Sequence, residues 1–146
     1  YMAPFVNLIH AVDSYRLLRE IDKHAAKHNR RIDCLLQIHI AQEDTKYGFT
    51  LQECADFLAQ TAVDTYPHIR FRGIMGMASN TDDEVQVRAE FTQLKQLFDN
   101  LRAGVMANTP CFDTLSMGMS LDYRIAVEEG STMVRIGTTI FGEREY

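Results

Sequence analysis

Apolar residues follow two alternating patterns along this chain: short continuous runs, and stripes with the spacing of a helix face. The runs predict five β-strands, at residues 6–12, 34–40, 69–77, 114–120 and 131–138. The run at 34–40 is nearly continuous in apolar character, which is typical of a strand covered on both faces. Polar segments or turn residues close each run, so each predicted strand has a defined end.

Helical stripes lie between these runs. Asp13 and Ser14 both suit the N-cap of a first helix that extends to about residue 29. Thr50 and Glu53 have the spacing of a capping box, which predicts the start of a second helix. The third helix ends at Gly104, and a short fourth one covers residues 122–129. The third helix has the clearest apolar stripe, formed by Val87, Phe91, Leu94, Phe98 and Leu101.

The last two predicted strands both end in glycine and hydroxyl residues, at 118–120 and 137–138. Small residues let backbone N–H groups approach a ligand closely, and a Ser or Thr hydroxyl adds a donor. Two such endings side by side form an anion-binding cup, most naturally for a phosphate group. The alternative is two ordinary glycine-containing turns.

The order of elements, strand and helix alternating with a fifth strand at the end, predicts a parallel sheet of the α/β class. In a β/α barrel, phosphate sites often follow the last two strands. The two cup-like endings stand in that position here, which favours a barrel over an open sheet. We therefore expect residues 1–146 to form a single domain of about five β/α units of a TIM-type (β/α)8 barrel.

Composition excludes several classes of partner. The net charge is −5 and no basic stripe with interleaved aromatic residues is present, so we expect no nucleic-acid partner. No apolar run approaches the length of a membrane span, so we expect no membrane partner. Cys34, Cys54 and Cys111 are far apart, which favours buried thiols over disulfides or metal ligands and suits a reducing, cytoplasmic setting.

Five stretches carry a resemblance to a known family: IHAVDS at 9–14, CLLQIHIAQEDTKYGF at 34–49, GIMGMASNTDD at 73–83, LSMGMSLDY at 115–123 and STMVRIGTTIFGEREY at 131–146. The chain resembles the YggS/PROSC family of pyridoxal-phosphate homeostasis proteins. The resemblance implies the fold of the alanine-racemase N-terminal domain and binding of pyridoxal 5′-phosphate. It also implies a non-catalytic carrier or regulator, since the family generally lacks robust racemase activity. A pyridoxal-phosphate-dependent amino-acid racemase is the alternative.

The resemblance assigns roles to particular residues. Ser120 should hydrogen-bond the phosphate, with backbone N–H groups around Met119, and Gly137 with Thr138 should close the cup. Arg135 should face the pyridine nitrogen and leave it unprotonated, because a guanidinium does not give up its proton. Free phosphate or sulfate would occupy the same cup, and neither a catalytic residue nor a metal ligand is predicted. The full set of expected cofactor-binding residues is Ser116, Met117, Gly118, Met119, Ser120, Arg135, Gly137 and Thr138.

The family's cofactor-linking lysine lies upstream of the stretch at 9–14, so no Schiff-base lysine is expected in this chain. Lys23, Lys27 and Lys95 fall within amphipathic helices, where solvated side chains are expected, and Lys46 matches a position on the rim of the active face. The five strands correspond to the fourth through eighth of the barrel. We expect an N-terminal segment or another chain to complete it.

Several side chains have two interpretations. His10 and His39 fall on predicted strands, where a satisfied interior histidine is the simpler interpretation of His39. Ser120 has the sequence position of a cap for the helix at 122–129, a role compatible with phosphate contact. Glu43 is expected to be a structural partner of Lys46. The four methionines Met75, Met77, Met117 and Met119 pack either around a cofactor ring or as gap-filling core.

Overall fold

The computed structural model describes residues 2–43, 47–60 and 65–143. Strands and helices alternate through these residues, as predicted. The elements are β1 (Leu8–Val12), α1 (Tyr15–Lys27), β2 (Ile32–Ile38), α2 (Leu51–Gln60), β3 (Ile69–Gly76), α3 (Glu84–Ala103), β4 (Thr114–Met119), α4 (Tyr123–Glu128), β5 (Met133–Arg135) and α5 (Thr138–Phe141).

The five strands form one parallel sheet in the order β1-β2-β3-β4-β5. Each strand pairs with the next one in the chain, so the sheet is a continuous arc of a β/α barrel. This confirms the predicted α/β class and the half-barrel of about five units. None of the helices among the described residues combines the length and the apolar character that a membrane crossing requires.

The main core lies between the sheet and the helices that cover it. Alternate residues of β2, such as Cys34 and Leu36, join this core together with Phe91 and Phe98 of α3. Because successive strand residues point to opposite faces, Leu35 of β2 is buried on the other, inner face of the arc. β2 is therefore covered on both faces, as the nearly continuous apolar run at 34–40 predicted.

Local capping explains where the helices begin. The Ser14 hydroxyl accepts from the Leu17 N–H at 3.2 Å. Thr50 and Glu53 exchange hydrogen bonds between side chain and backbone, both at 3.1 Å, which confirms the capping box. All five residues of the predicted α3 stripe are buried, and α3 ends at Gly104 as expected.

Gly73 allows β3 and β4 to approach each other. A Cβ atom at this position would overlap the Thr114 carbonyl oxygen on β4. Only glycine fits there, which accounts for one of the two glycines in the third apolar run.

All five predicted strands differ from the structure at one end or both. β2 begins and ends two residues earlier than predicted, β3 and β4 end one residue earlier, and β1 and β5 are the most shortened. β1 begins at Leu8, because the N–H groups of Phe5 and Val6 turn back onto the Met2 carbonyl oxygen. β5 covers only three residues, so the predicted strand through residue 138 is wrong at its end. Gly137 has φ −117° and ψ −66°, and this helical ψ directs the chain into α5 instead of continuing the strand.

The three cysteines are all free, as predicted. Cys34 and Cys54 are fully buried, and burial raises the pKa of both thiols to about 12. Cys111 is half-buried in the turn that precedes β4. The first two thiols are therefore core residues without nucleophilic character at neutral pH.

Candidate functional site

A cavity of about 720 Å³ opens at the carboxyl ends of β3, β4 and β5. In β/α barrels this end of the strands carries the functional site. The β4 and β5 endings and the segment after β3 all contribute to its walls. The lining residues are Met77, Ala78, Ser79, Asn80, Thr81, Gly118, Met119, Ser120, Leu121, Asp122, Arg135, Gly137, Thr138, Phe141, Gly142 and Glu143.

The two predicted strand endings lie side by side in this cavity. The Gly137 N–H after β5 donates to the Ser120 Oγ after β4 at 3.3 Å. A Cβ atom at Gly137 would meet no atom of the described residues within 4 Å, so the backbone there is open toward the cavity. The contact joins the two halves of the predicted cup and places a hydroxyl beside an exposed glycine backbone.

The residues around Met119 differ from the expected arrangement in two ways. The Met119 N–H donates to Asp122 Oδ1 at 2.8 Å, so this particular N–H already has an acceptor within the protein. Asp122 is also the N-cap residue of α4, which makes the predicted capping role of Ser120 wrong. The short acidic side chain thus shapes the turn, and the Ser120 hydroxyl faces the β5 ending instead.

Gly118 is required by the backbone of this turn. Its φ is +104°, a conformation that favours glycine, and a Cβ atom there would lie 2.6 Å from the Ala126 Cβ of α4. The glycine therefore lets α4 pack tightly against the end of β4. This packing fixes where the cup stands relative to the sheet.

Arg135 is the one cationic side chain among the described residues that line the cavity. It extends from β5 toward β3, where its Nη2 donates to the Gly76 carbonyl oxygen at 3.0 Å. Its Nε is buried and has no hydrogen-bond partner in the part of the chain that the structure describes. Burial lowers the pKa of Arg135 from its usual value, while the negative charge of Asp122 acts in the opposite direction. A buried N–H donor without an acceptor is costly, so this atom is suited to a ligand acceptor.

Six of the eight predicted cofactor-binding residues line the cavity, and Ser116 and Met117 do not. Met117 belongs to the core between sheet and helices, because strand alternation points it away from the inner face. Ser116 points the other way but is fully buried, in register with Met75 and Met133 on the neighbouring strands. Its hydroxyl lacks a hydrogen-bond partner within the described residues.

The wall on the β3 side contains polar contacts that the sequence patterns did not predict. We call residues 77–81, all of which line the cavity, the β3 wall. Ser79 in this wall donates from N and Oγ to the buried Glu90 carboxylate of α3, at 2.6 and 2.7 Å. The Asn80 N–H donates to Glu43 Oε1 at 2.6 Å. The one sequence feature that indicates these contacts is Glu90, an acidic residue within the apolar stripe of α3 and directly beside Phe91.

The remaining sequence candidates have simpler surroundings. His10 is half-buried, and its Nδ1 has no partner among residues 2–43, 47–60 and 65–143. Burial lowers the pKa of His10, and the positive charge of Arg135 adds to this effect. Lys23 and Lys27 are exposed, and the Lys95 Nζ lies 2.8 Å from Asp99 Oδ1. Lys46 lies outside the described residues, so its expected pairing with Glu43 stays a prediction.

The donors in the cavity suit an anion and a neighbouring acceptor atom. The Ser120 hydroxyl and the backbone at Gly137 and Thr138 form one cluster, and the Arg135 guanidinium lies beside it. Fold and site together define the class: a β/α-barrel domain with an anion-suited pocket at the carboxyl ends of its strands. The chain belongs to the family described as "Alanine racemase, N-terminal domain", which it matches over residues 2–145.

Within this family the chain is similar to pyridoxal phosphate homeostasis proteins. It is 36% identical over 146 residues to the protein of that name from Aquifex aeolicus, covering 100% of this chain and 62% of that protein. A protein of the same name from Pasteurella multocida is 34% identical over 145 residues, covering 99% of this chain and 60% of that protein. The chain thus spans about 60% of the length of these curated relatives.

The solved structures of PipY from Synechococcus elongatus are also similar. The structure with pyridoxal phosphate bound has a TM-score of 0.76 at 28% identity, and covers 97% of this chain and 63% of PipY. The structure without pyridoxal phosphate has a TM-score of 0.80 and covers 97% of this chain and 66% of PipY. Both confirm the half-barrel fold predicted from the order of elements.

Proposed function

We propose that this chain supplies the phosphate and ring-nitrogen contacts of a pyridoxal 5′-phosphate site in a protein of vitamin B6 homeostasis. In this proposal residues 1–146 form one partial barrel domain, and a further segment or another chain completes it. The protein acts as a carrier or regulator of the cofactor in the cytoplasm, not as a catalyst. Its three free thiols are compatible with such a reducing compartment.

The observation that carries the proposal is the buried Arg135 Nε beside the cup, which has no hydrogen-bond partner among the residues that the structure describes. Pyridoxal phosphate combines a phosphate group with a pyridine nitrogen that accepts a hydrogen bond. Ser120, Gly137 and Thr138 would hold the phosphate, and Arg135 would donate to the ring nitrogen. The names of the relatives and the pyridoxal phosphate bound to PipY support the same ligand.

Arg135 also supports a holding role over a catalytic one. When bound, the cofactor supplies an electron-accepting ring, whose strength depends on a proton at its nitrogen. A guanidinium keeps its own protons and donates a hydrogen bond, so it leaves the ring nitrogen without a proton. The Arg135 Nε atom is buried, so its N–H bond is better satisfied by an acceptor on the ligand than by water.

Isothermal calorimetry on the 146-residue chain tests the proposal with three ligands: pyridoxal phosphate, pyridoxal and inorganic phosphate. We expect pyridoxal phosphate to bind more tightly than either part, because it contacts both the cup and Arg135. Replacing Arg135→Gln should weaken pyridoxal phosphate binding by about tenfold or more, the usual size of a lost charged hydrogen bond. The control is Arg19→Gln on the exposed side of α1.

Two results would contradict the proposal. One is pyridoxal binding as tightly as pyridoxal phosphate, which would mean that the cup does not hold a phosphate group. The other is an equal loss of affinity in the Arg135→Gln and Arg19→Gln variants. That result would mean that Arg135 acts through the net charge of the protein and not through a contact with the ligand.

A further inference from the structure

Glu90 is an acidic side chain in the core-facing stripe of α3. It is 4% exposed and lies among the buried residues Val87, Phe91 and Leu94. Its carboxylate accepts three hydrogen bonds, from Ser79 N at 2.6 Å, Ser79 Oγ at 2.7 Å and Gln86 Nε2 at 3.2 Å. All three donors are neutral groups. Burying a carboxylate costs free energy, and among the described residues only hydrogen bonds from neutral donors offset that cost here.

The contacts of Glu90 lead to the pocket through one hydroxyl group. Ser79 belongs to the β3 wall, and its Oγ donates to Glu90 while accepting from the Gln42 N–H at 2.7 Å. Gln42 lies in the segment after β2, so the Ser79 hydroxyl joins the carboxyl ends of two strands. The neighbouring Asn80 N–H is held by a second carboxylate, Glu43, at 2.6 Å. The wall is thus fixed from α3 and from the segment after β2.

We propose that Glu90 is a positioning residue that sets the β3 wall of the ligand pocket through Ser79. The proposal rests on the proposed function: the cup holds the phosphate, and the β3 wall bounds the space left for the pyridine ring. Charge-assisted hydrogen bonds are short and directional, so a carboxylate fixes the wall more firmly than a neutral acceptor does. Glu90 itself lies behind the wall and does not line the cavity.

Two variants remove this link from opposite sides, Glu90→Gln and Ser79→Ala. The matched control is Glu84→Gln, which makes the same change of charge at an exposed position in the first turn of α3. We expect either variant to weaken pyridoxal phosphate binding about fivefold to tenfold, the difference between a charged and a neutral hydrogen bond. Affinity for inorganic phosphate should stay within about twofold, because phosphate alone occupies the cup. The double variant should lose less affinity than the sum of the two single losses, since both substitutions act on the contact between Ser79 Oγ and Glu90.

Hydrogen exchange separates positioning from general stability, and needs no ligand. In Glu90→Gln we expect the Ser79 and Gln42 amides to exchange about five to ten times faster, while the Ile74 amide in the middle of β3 keeps its wild-type rate. If Glu90→Gln folds poorly, Ser79→Ala retains the carboxylate and removes the hydroxyl that accepts from the Gln42 N–H. The Gln42 amide should then exchange faster while the Ile74 amide keeps its wild-type rate.

Each outcome decides between the alternatives. Equal loss of affinity for pyridoxal phosphate and phosphate, or faster exchange at Ile74 together with Ser79, would make Glu90 a purely structural residue and overturn the proposal. A wild-type chain that binds neither ligand would refute the proposed function and the ring-holding role of the wall. Exchange at Ser79 would still show whether Glu90 holds the wall in place.

Discussion

Asp33 connects β2 to β3 at the amino ends of the strands, far from the cup. Its carboxylate accepts from Arg70 Nε at 2.6 Å, Arg70 Nη2 at 3.0 Å and Arg72 Nη1 at 3.0 Å. Arg72 also donates to Asp113 Oδ1 at 3.2 Å, so the cluster extends to the start of β4. Replacing Asp33→Asn keeps the size of the side chain but removes its charge and one of its two acceptor oxygens.

The exposure of the partners sets the size of this effect. The Asp33 side chain is 12% exposed, whereas Arg70 and Arg72 are 44% and 31% exposed. A fully buried ion pair broken on one side costs about 3–5 kcal/mol, but these guanidinium groups regain water. The loss should therefore resemble that of charged hydrogen bonds, about 2 kcal/mol, or a factor of about 30 in the folding equilibrium.

Urea denaturation at pH 7 measures this loss as a shift of the midpoint by about 1 M, given the usual slopes for small proteins. The control is Asp99→Asn, whose carboxylate is 54% exposed and pairs with Lys95 one helical turn away; the expected loss is below about 0.5 kcal/mol. A loss for Asp33→Asn no larger than that of the control would refute the reasoning.

The same substitution has an expected pH dependence. Burial acts to raise the pKa of Asp33, but the hydrogen bonds and charges of Arg70 and Arg72 outweigh it and hold the pKa below its usual value. A carboxyl group whose pKa is lower in the folded than in the unfolded protein stabilises the fold fully at a pH above its unfolded-state pKa, near 3.9. This contribution is lost as the pH falls through the folded-state pKa. The difference between wild type and Asp33→Asn should therefore be smaller at pH 3 than at pH 7. An undiminished difference at pH 3 would contradict the assignment.

Two further outcomes follow from burial and backbone conformation. Burial raises the pKa of Cys34 and Cys54 to about 12, so a thiol reagent at pH 8 should modify Cys111 first. Reaction of all three thiols should require denaturant. Rapid modification of Cys34 in the native protein would contradict its place in the core. Gly118→Ala should lower the free energy of unfolding, measured in urea, by about 1–3 kcal/mol, because it adds backbone strain at φ +104° and a clash with Ala126. Adding Ala126→Gly to this variant should restore only the part of the loss that the clash causes. Full restoration would show that φ strain is absent.

Sequence patterns predicted the elements whose causes are local. The α3 stripe, the N-cap at Asp13 or Ser14 and the Thr50–Glu53 capping box each depend on residues close in sequence, and all are present, with Ser14 as the cap. The neighbouring positions of the β4 and β5 endings followed from chain order alone, because consecutive parallel strands bring their carboxyl ends together.

Features set by distant parts of the chain were not predicted. The reach of Arg135 to the Gly76 carbonyl oxygen joins residues 59 positions apart, and no local pattern contains it. The early end of β5 depends on the ψ of Gly137, a residue that allows strand and helix equally. Ser116 and Met117 were both expected to bind the cofactor, although adjacent residues of a strand point to opposite faces of the sheet. Strand alternation alone could therefore have shown that they do not both face the cavity. The acidic residue Glu90 within an apolar stripe was likewise a visible signal.

Amide chemical shifts of the isotope-labelled chain, recorded as pyridoxal phosphate is added, test the central claim most directly. We expect the largest changes at residues 118–120 and 137–138, together with the Nε–H resonance of Arg135, because these groups line the cup and face the ring nitrogen in our proposal. Shifts concentrated elsewhere, for example in the groove between α2 and α3 near Leu51 and Leu97, would contradict a cofactor site at the carboxyl ends of β4 and β5.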